Sequence, residues 1–94
     1  MYTISSKLYL EVFESLMAKI ATKEYFSGRV DLTDGDTFCS LLCSVVVHRG
    51  KGDNRGSLNG IDTIVPVWWE FHTTDGGQEL LNDFSFGEML RIAL

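Results

Sequence analysis

Positive charge is scarce in this sequence, where eight Lys and Arg residues stand against 13 Asp and Glu residues. The formal net charge at pH 7 is therefore −5. Nucleic-acid binding depends on clustered basic residues that displace counterions from phosphates, so this balance makes nucleic acid an unfavourable partner. Membrane surfaces are disfavoured by the same sign argument.

Long apolar runs are also missing. Runs such as Val45-Val46-Val47 are far shorter than the ~20 residues that a membrane-spanning helix needs. The first ten residues contain one lysine, and Glu11 and Glu14 interrupt any apolar core of a signal sequence. We therefore expect a cytoplasmic protein that does not associate with membranes.

Cysteine occurs only at positions 39 and 43, which fall on one predicted strand. The usual rise of a strand would place their Cα atoms ~13 Å apart. A disulfide needs a separation within about 7 Å, so Cys39 and Cys43 are predicted to be free, buried thiols. No His or Cys residue elsewhere is expected to join them as a ligand, and we expect no metal and no cofactor.

The remaining composition is typical of a folded globular domain, with 45% hydrophobic and 22% charged residues. A chain of 94 residues holds a single core and leaves little room for an enclosed catalytic cleft. The sequence also lacks the spacing of a nucleophile–base pair. It therefore predicts one non-enzymatic domain over residues 1–94.

Apolar periodicity predicts two helices. Residues 4–22 carry apolar side chains at the spacing of an amphipathic helix. Near the end of the chain, Ser85-Phe86-Gly87-Glu88 matches a capping box, with Phe84 and Met89 at the positions of a hydrophobic staple. A short helix is therefore predicted from Phe86 to the C-terminus.

Strand patterns lie between the two helices. The predicted strands cover residues 25–32, 37–49 and 61–74, with 79–81 as an optional fourth. Asp34-Gly35 predicts a type I′ hairpin turn, and Pro66 predicts that the third strand lies at an edge or contains a bulge. The sequence thus predicts an α+β fold of order α-β-β-β-α, with an antiparallel meander of three or four strands and both helices on one face.

This element order resembles that of double-stranded-RNA-binding domains, over most of the chain and by topology alone. That family contacts phosphates through a lysine-rich start of its last helix. Here the position reads Ser85-Phe86-Gly87-Glu88, with Asp83 just before it. RNA binding is therefore not carried over from the resemblance.

The predicted register assigns side chains to two faces of the sheet. A tight hairpin would place Phe26 opposite Cys43, and a symmetric second connection would place Leu42 opposite Trp68. The predicted core face then comprises Phe26, Val30, Leu32, Cys39, Leu41, Cys43, Val45, Val65, Val67, Trp69 and Phe71.

The other face is unusually apolar for a soluble monomer, and patches of this kind usually mark interaction sites. Trp68 and Trp69 are adjacent, so one of them must point to each face of the sheet. The predicted partner is a second copy of the chain in a homodimer, or another protein. A C-terminal segment folded across the patch is the alternative. The predicted partner-binding residues are Phe38, Leu42, Val46, Ile64, Trp68 and Glu70.

A second hypothesis gives the chain a nucleic-acid-related role. The loop over residues 49–56 is glycine-rich and locally basic, so Arg49, Lys51 and Arg55 are candidate anion-binding residues. The loop lacks the Gly-Lys-Ser/Thr ending of a P-loop and no helix follows it. Acidic mimicry of DNA is another version of this hypothesis, although the acidic residues are dispersed.

Polar residues on the second face suggest two further constellations. His48, His72 and Glu70 resemble a metal or acid–base set, but the predicted register separates the two histidines by roughly 30 Å, which excludes a shared metal ion. Arg29, Ser40 and Glu70 form a predicted cross-strand row, which is interpreted as a polar network.

Overall fold

The structure, a computed structural model, describes residues 1–49 and 61–94. The elements are α1 (Ser6–Ile20), β1 (Tyr25–Asp34), β2 (Thr37–Arg49), β3 (Ile61–Asp75), β4 (Gln78–Leu80) and α2 (Phe86–Ala93). The four strands form one antiparallel sheet in the order β1-β2-β3-β4. The predicted α+β meander is confirmed, and the optional fourth strand is present.

Helix α1 is bounded by local capping. The Ser5 hydroxyl accepts a hydrogen bond from the Leu8 amide at 3.1 Å, which satisfies one of the free amides of the first turn. The helix ends at Ile20, because Ala21 turns to a positive φ of 53° and donates its amide to the Met17 carbonyl. In the described residues, neither helix is long and apolar enough to cross a membrane.

Helix α2 begins at Phe86 as predicted, although only part of the predicted capping box forms as expected. The Ser85 hydroxyl accepts a hydrogen bond from the Glu88 amide at 3.3 Å. The Glu88 carboxylate binds the guanidinium of Arg91, and the Ser85 amide donates to the Tyr9 hydroxyl at 3.1 Å. This last bond ties the start of α2 to α1.

The hairpin between β1 and β2 closes one residue later than predicted. Asp34 pairs with Thr37, which leaves Gly35 and Asp36 as the turn. Gly35 has a positive φ of 63° and Asp36 does not, whereas a type I′ turn needs positive φ at both positions. The predicted register is therefore wrong by two residues, although every β1 side chain stays on its predicted face, since alternation has a period of two.

A bulge divides β3. Ser44 pairs with Trp68 and Val45 pairs with Pro66, so Val67 is the extra residue on β3. The prediction that Pro66 marks a bulge or an edge is confirmed. Pro66 also lies in a part of β3 that has no described strand paired to it on the β4 side, because β4 pairs only with residues 73–75 of β3.

The bulge corrects the predicted faces of β3, because an extra residue reverses the side on which all preceding side chains lie. Ile64 is 1% exposed and pairs with Val47 on the side of the helices, so its assignment to the partner-binding face is wrong. Val65, Val67 and Trp69 were predicted in the core, and all three are exposed, although Trp69 stays on the helix side of the sheet.

Both helices pack on one side of the sheet around a single core. Phe84 is buried in this core and stacks on Phe71 with 4.1 Å between ring centroids. Trp69 contacts both Phe84 and Phe86 by its ring. The C-terminal segment therefore covers the helix side of the sheet, and the alternative that it covers the other face is wrong. The fully buried side chains include Leu8, Val12, Phe13, Leu16, Ile20, Val30, Leu41, Val45, Ile64, Phe86 and Met89.

Both cysteines lie in this core. Cys39 and Cys43 are free and buried on β2, which confirms the prediction from their spacing. Burial raises the pKa of each thiol to about 11. Because the thiolate is the reactive form, both side chains behave as small apolar residues.

Candidate protein-interaction face

The side of the sheet opposite the helices is called the open face here, because both described helices pack on the other side. The strand pairing determines its members, since paired residues of antiparallel strands point the same way. The open face comprises Tyr25, Ser27, Arg29, Asp31 and Thr33 of β1, Phe38, Ser40, Leu42, Ser44, Val46 and His48 of β2, Thr63, Val65, Trp68, Glu70, His72 and Thr74 of β3, and Glu79 of β4.

One half of the open face is apolar. Tyr25, Val46 and Val65 form a row across β1, β2 and β3, and Trp68 lies in the next row beside Ser44. Trp68 and Val65 are each 46% exposed, Tyr25 is exposed, and Val46 is half-buried. Large apolar side chains are thus grouped at the surface of three neighbouring strands.

The predicted partner-binding residues divide accordingly. Phe38, Leu42, Val46, Trp68 and Glu70 lie on the open face as expected, with Phe38 at the end near the β1–β2 turn. The sequence prediction missed Val65, which takes the place assigned to Ile64. The bulge signal at Pro66, applied to the alternation of β3, would have found it.

The other half of the open face is polar. The Arg29 guanidinium binds Asp31 at 2.7 Å, and the Ser40 hydroxyl donates to the same Asp31 oxygen at 2.7 Å. These two donors, Arg29 first, lower the pKa of the Asp31 carboxyl. The predicted row of Arg29, Ser40 and Glu70 is wrong, because the register places Ser40 one row away, between Asp31 and His72.

His72 lies between two carboxylates. Its Nδ1 is 3.0 Å from a Glu79 oxygen, and its Nε2 is 3.3 Å from a Glu70 oxygen. The hydrogen bonds to Glu79 and then Glu70 raise the pKa of His72, because both favour the imidazolium. The sequence placed Glu70 beside His72, but Glu79 becomes a neighbour only through the pairing of β4 with β3.

This arrangement is unsuited to one metal ion, because the two ring nitrogens of His72 are directed at different carboxylates. No cluster of three or more metal-ligating side chains occurs in the described ranges 1–49 and 61–94. His48 pairs with Thr63 near the far end of β2, so the structure does not bring it to His72. A shallow depression of about 290 Å³ lies beside this group, and residues that include Phe38, Ser40 and His72 line it.

Arg49, the first residue of the predicted anion-binding loop, hydrogen-bonds to backbone carbonyls of the same chain. Its Nη2 atom donates to the carbonyls of Ala21 at 3.0 Å and Lys23 at 2.7 Å. These bonds join the end of β2 to the connection between α1 and β1. Lys51 and Arg55 lie outside the described residues, as does the rest of the loop from residue 50 to 60.

A second concave surface runs between α1 and the outer edge of β1. It encloses about 600 Å³, and Glu11, Glu14, Ser15 and Leu32 are among the side chains that line it. None of the described side chains that line it is aromatic, and two of them are carboxylates, whereas interface energy comes mainly from buried aromatic and other large anchors. The open face is therefore the stronger candidate for binding.

Comparisons with known proteins give no direct indication of function. No protein-family model matches the chain. No curated protein and no solved structure matches it significantly either. The function must therefore be inferred from the open face itself.

Proposed function

We propose that this chain is a non-enzymatic cytoplasmic protein that self-associates through its open face. The observation that carries the proposal is the exposure of Trp68 and Val65 beside Tyr25 and Val46, on a sheet face that neither described helix covers. Contiguous exposed apolar groups are uncommon on soluble monomers and usually mark an interaction surface.

The neighbouring tryptophan supports this interpretation. Trp69 is held against Phe84 and Phe86 on the helix side, with ring centroids 5.6 Å and 6.4 Å away. Trp68 makes no ring contact of this kind within the described residues. A large aromatic side chain that gains little packing in the monomer is well suited to serve as an anchor in an interface.

The polar half of the open face supports a binding role more than catalysis. Arg29, Asp31 and Ser40 bind one another, and His72 binds two carboxylates, so these groups are occupied in a surface network. The depression beside them is shallow and open, whereas catalytic groups usually act in a site that excludes water. The network is suited to fixing the orientation of a partner.

Sedimentation velocity over a wide range of protein concentrations tests the proposal. The open face spans three long strands that are ~4.8 Å apart, and residues 25–33 of β1 give its length at a rise of ~3.3 Å per residue. The projected area of the face is therefore only about 400 Å² per chain. An interface of this size is expected to be weak, so the measurements should extend from micromolar to roughly millimolar concentration. We expect the wild-type chain to form dimers as concentration rises.

The variant Trp68→Asp should abolish this dimerisation, because it removes the largest apolar side chain of the apolar half and places a charge there. Leu10→Asp is the matched control, since Leu10 is exposed on α1, which packs on the other side of the sheet. This control should dimerise like the wild type. A wild-type chain that remains monomeric at the highest concentration would refute the proposal.

A further inference from the structure

The charges of the open face are distributed unevenly across the strands. β1 contributes Arg29 and Asp31, β3 contributes Glu70 and His72, and β4 contributes Glu79. The β2 side chains between the charged groups of β1 and β3, Ser40 and Leu42, are uncharged. In one row Arg29 lies at one end and Glu70 at the other. In the next row Asp31 lies at one end and His72 at the other, with β2 between them. When His72 is protonated, this row also has opposite charges at its two ends.

We propose that two copies pack open face to open face about a twofold axis that runs along β2, which brings Arg29 of each copy against Glu70 of the other. The inference rests on the proposed self-association and adds the arrangement of the two chains. A rotation of 180° about such an axis places β1 of one copy over β3 of the other and keeps each row in register. Leu42 of one copy then faces Leu42 of the second.

The same rotation brings the charged groups of β1 against groups of opposite charge on β3, while Glu79 of β4 lies outside the overlap of the two sheets. Arg29 meets Glu70 of the second copy, and Asp31 meets His72 of the second copy. Complementary charges fix the register of an interface and exclude alternative arrangements, because juxtaposed like charges cost several kcal/mol. The face is therefore complementary to itself, as an isologous interface must be.

Side-chain sizes in the apolar half fit the same arrangement. Trp68 of one copy lies over Ser27 of the second, where the small side chain leaves room for the indole. Tyr25 lies over Val65 of the second copy, and Val46 lies over its own equivalent. Sheets packed face to face are ~10 Å apart, so interdigitation of large and small side chains fills the space between them.

A twofold axis across the strands fits less well. To pair the charges, it would have to pass between the row of Arg29 and the row of Asp31. Trp68 would then lie over Thr74 of the second copy, and the row of Val46 and Val65 would extend past the hairpin ends with nothing opposite. The axis along β2 is the one that pairs the charges and also buries the apolar half.

Charge reversal tests this arrangement. Arg29→Glu and Glu70→Arg should each weaken dimerisation by roughly tenfold or more, since each places like charges together across the interface. The double variant Arg29→Glu/Glu70→Arg should recover most of the wild-type affinity, which is the signature of a direct pair. Sedimentation equilibrium gives the dissociation constants, and circular dichroism verifies that each variant is folded.

Lys7→Glu is the control, because it changes the net charge by the same amount as Arg29→Glu at an exposed position of α1. Its dissociation constant should match that of the wild type. A dimer that Trp68→Asp disrupts, but that the double charge reversal fails to restore, would overturn the twofold arrangement and leave self-association standing. A chain that is monomeric throughout would overturn both.

Discussion

Trp68 and Trp69 are neighbours in the chain but lie on opposite faces of the sheet. Trp69 pairs with Cys43, is 37% exposed and contacts the rings of Phe84 and Phe86. Trp68 pairs with Ser44, is 46% exposed and makes no such ring contact within the described residues. The two faces differ in the same way, because the helices cover one and leave the other open. The comparison shows that the apolar side chains of β3 serve two purposes. Those on the helix side pack against the core, and those on the open face are available for binding.

The covered face has its tightest aromatic packing around Phe84. This side chain is buried, stacks on Phe71, and lies 5.2 Å from the ring of Tyr9 between centroids. We expect Phe84→Ala to lower the free energy of unfolding by about 3–5 kcal/mol, through lost burial and the cavity that remains. Urea denaturation at low protein concentration, where the chain is monomeric, measures this loss.

Trp68→Ala is the counterpart of that variant on the open face. In the monomer it should lower the free energy of unfolding by less than about 1 kcal/mol, because the indole is already half in water. A loss as large as that of Phe84→Ala would contradict the comparison, since it would mean that Trp68 is packed in the monomer.

The second test concerns the bulge, which assigns the first half of β3 to the two faces. Ile64 is 1% exposed on the helix side, and Val65 is 46% exposed on the open face. Ile64→Ala should lower the free energy of unfolding by about 2–5 kcal/mol, and Val65→Ala by less than about 1 kcal/mol. Similar losses in the two variants would contradict the position of the bulge at Val67.

The sequence was sufficient to predict the elements and their order, because these depend on local signals. The periodicity of residues 4–22, the Ser85 cap and the glycines after Asp75 each act within a few residues of the chain. The faces of β1 and β2 were also predictable, since a shift of two residues in the register leaves alternation unchanged. These signals were enough to place Trp68 and Trp69 on different faces.

The remaining features depend on contacts between distant residues. The hairpin could close at Asp34-Gly35 or one residue later, and the local pattern does not separate these choices. The bulge was predicted only as an alternative to an edge, so its effect on Ile64 and Val65 was missed. His72 gains Glu79 through the pairing of β4, which no short-range pattern predicts.

The smallest expected effect is the pH dependence that His72 gives to the stability of the monomer. Glu79 and Glu70 raise its pKa in the folded chain, and Ser40 and Asp31 are the other polar groups in its row. A group whose pKa is raised on folding stabilises the fold fully below its unfolded pKa, ~6.5 for histidine. That contribution is lost as the pH rises through the folded pKa.

Between about pH 6 and pH 8 the wild type should therefore lose slightly more stability than His72→Gln. The difference should be a few tenths of a kcal/mol, because the side chain is 41% exposed and water screens its ion pairs. Thermal denaturation at the two pH values measures it, with His48→Gln as the control for a histidine at the far end of β2. If His72→Gln shows the same dependence on pH as the wild type, Glu79 and Glu70 do not stabilise the protonated form of His72. The polar half of the open face then makes no pH-dependent contribution to the stability of the monomer.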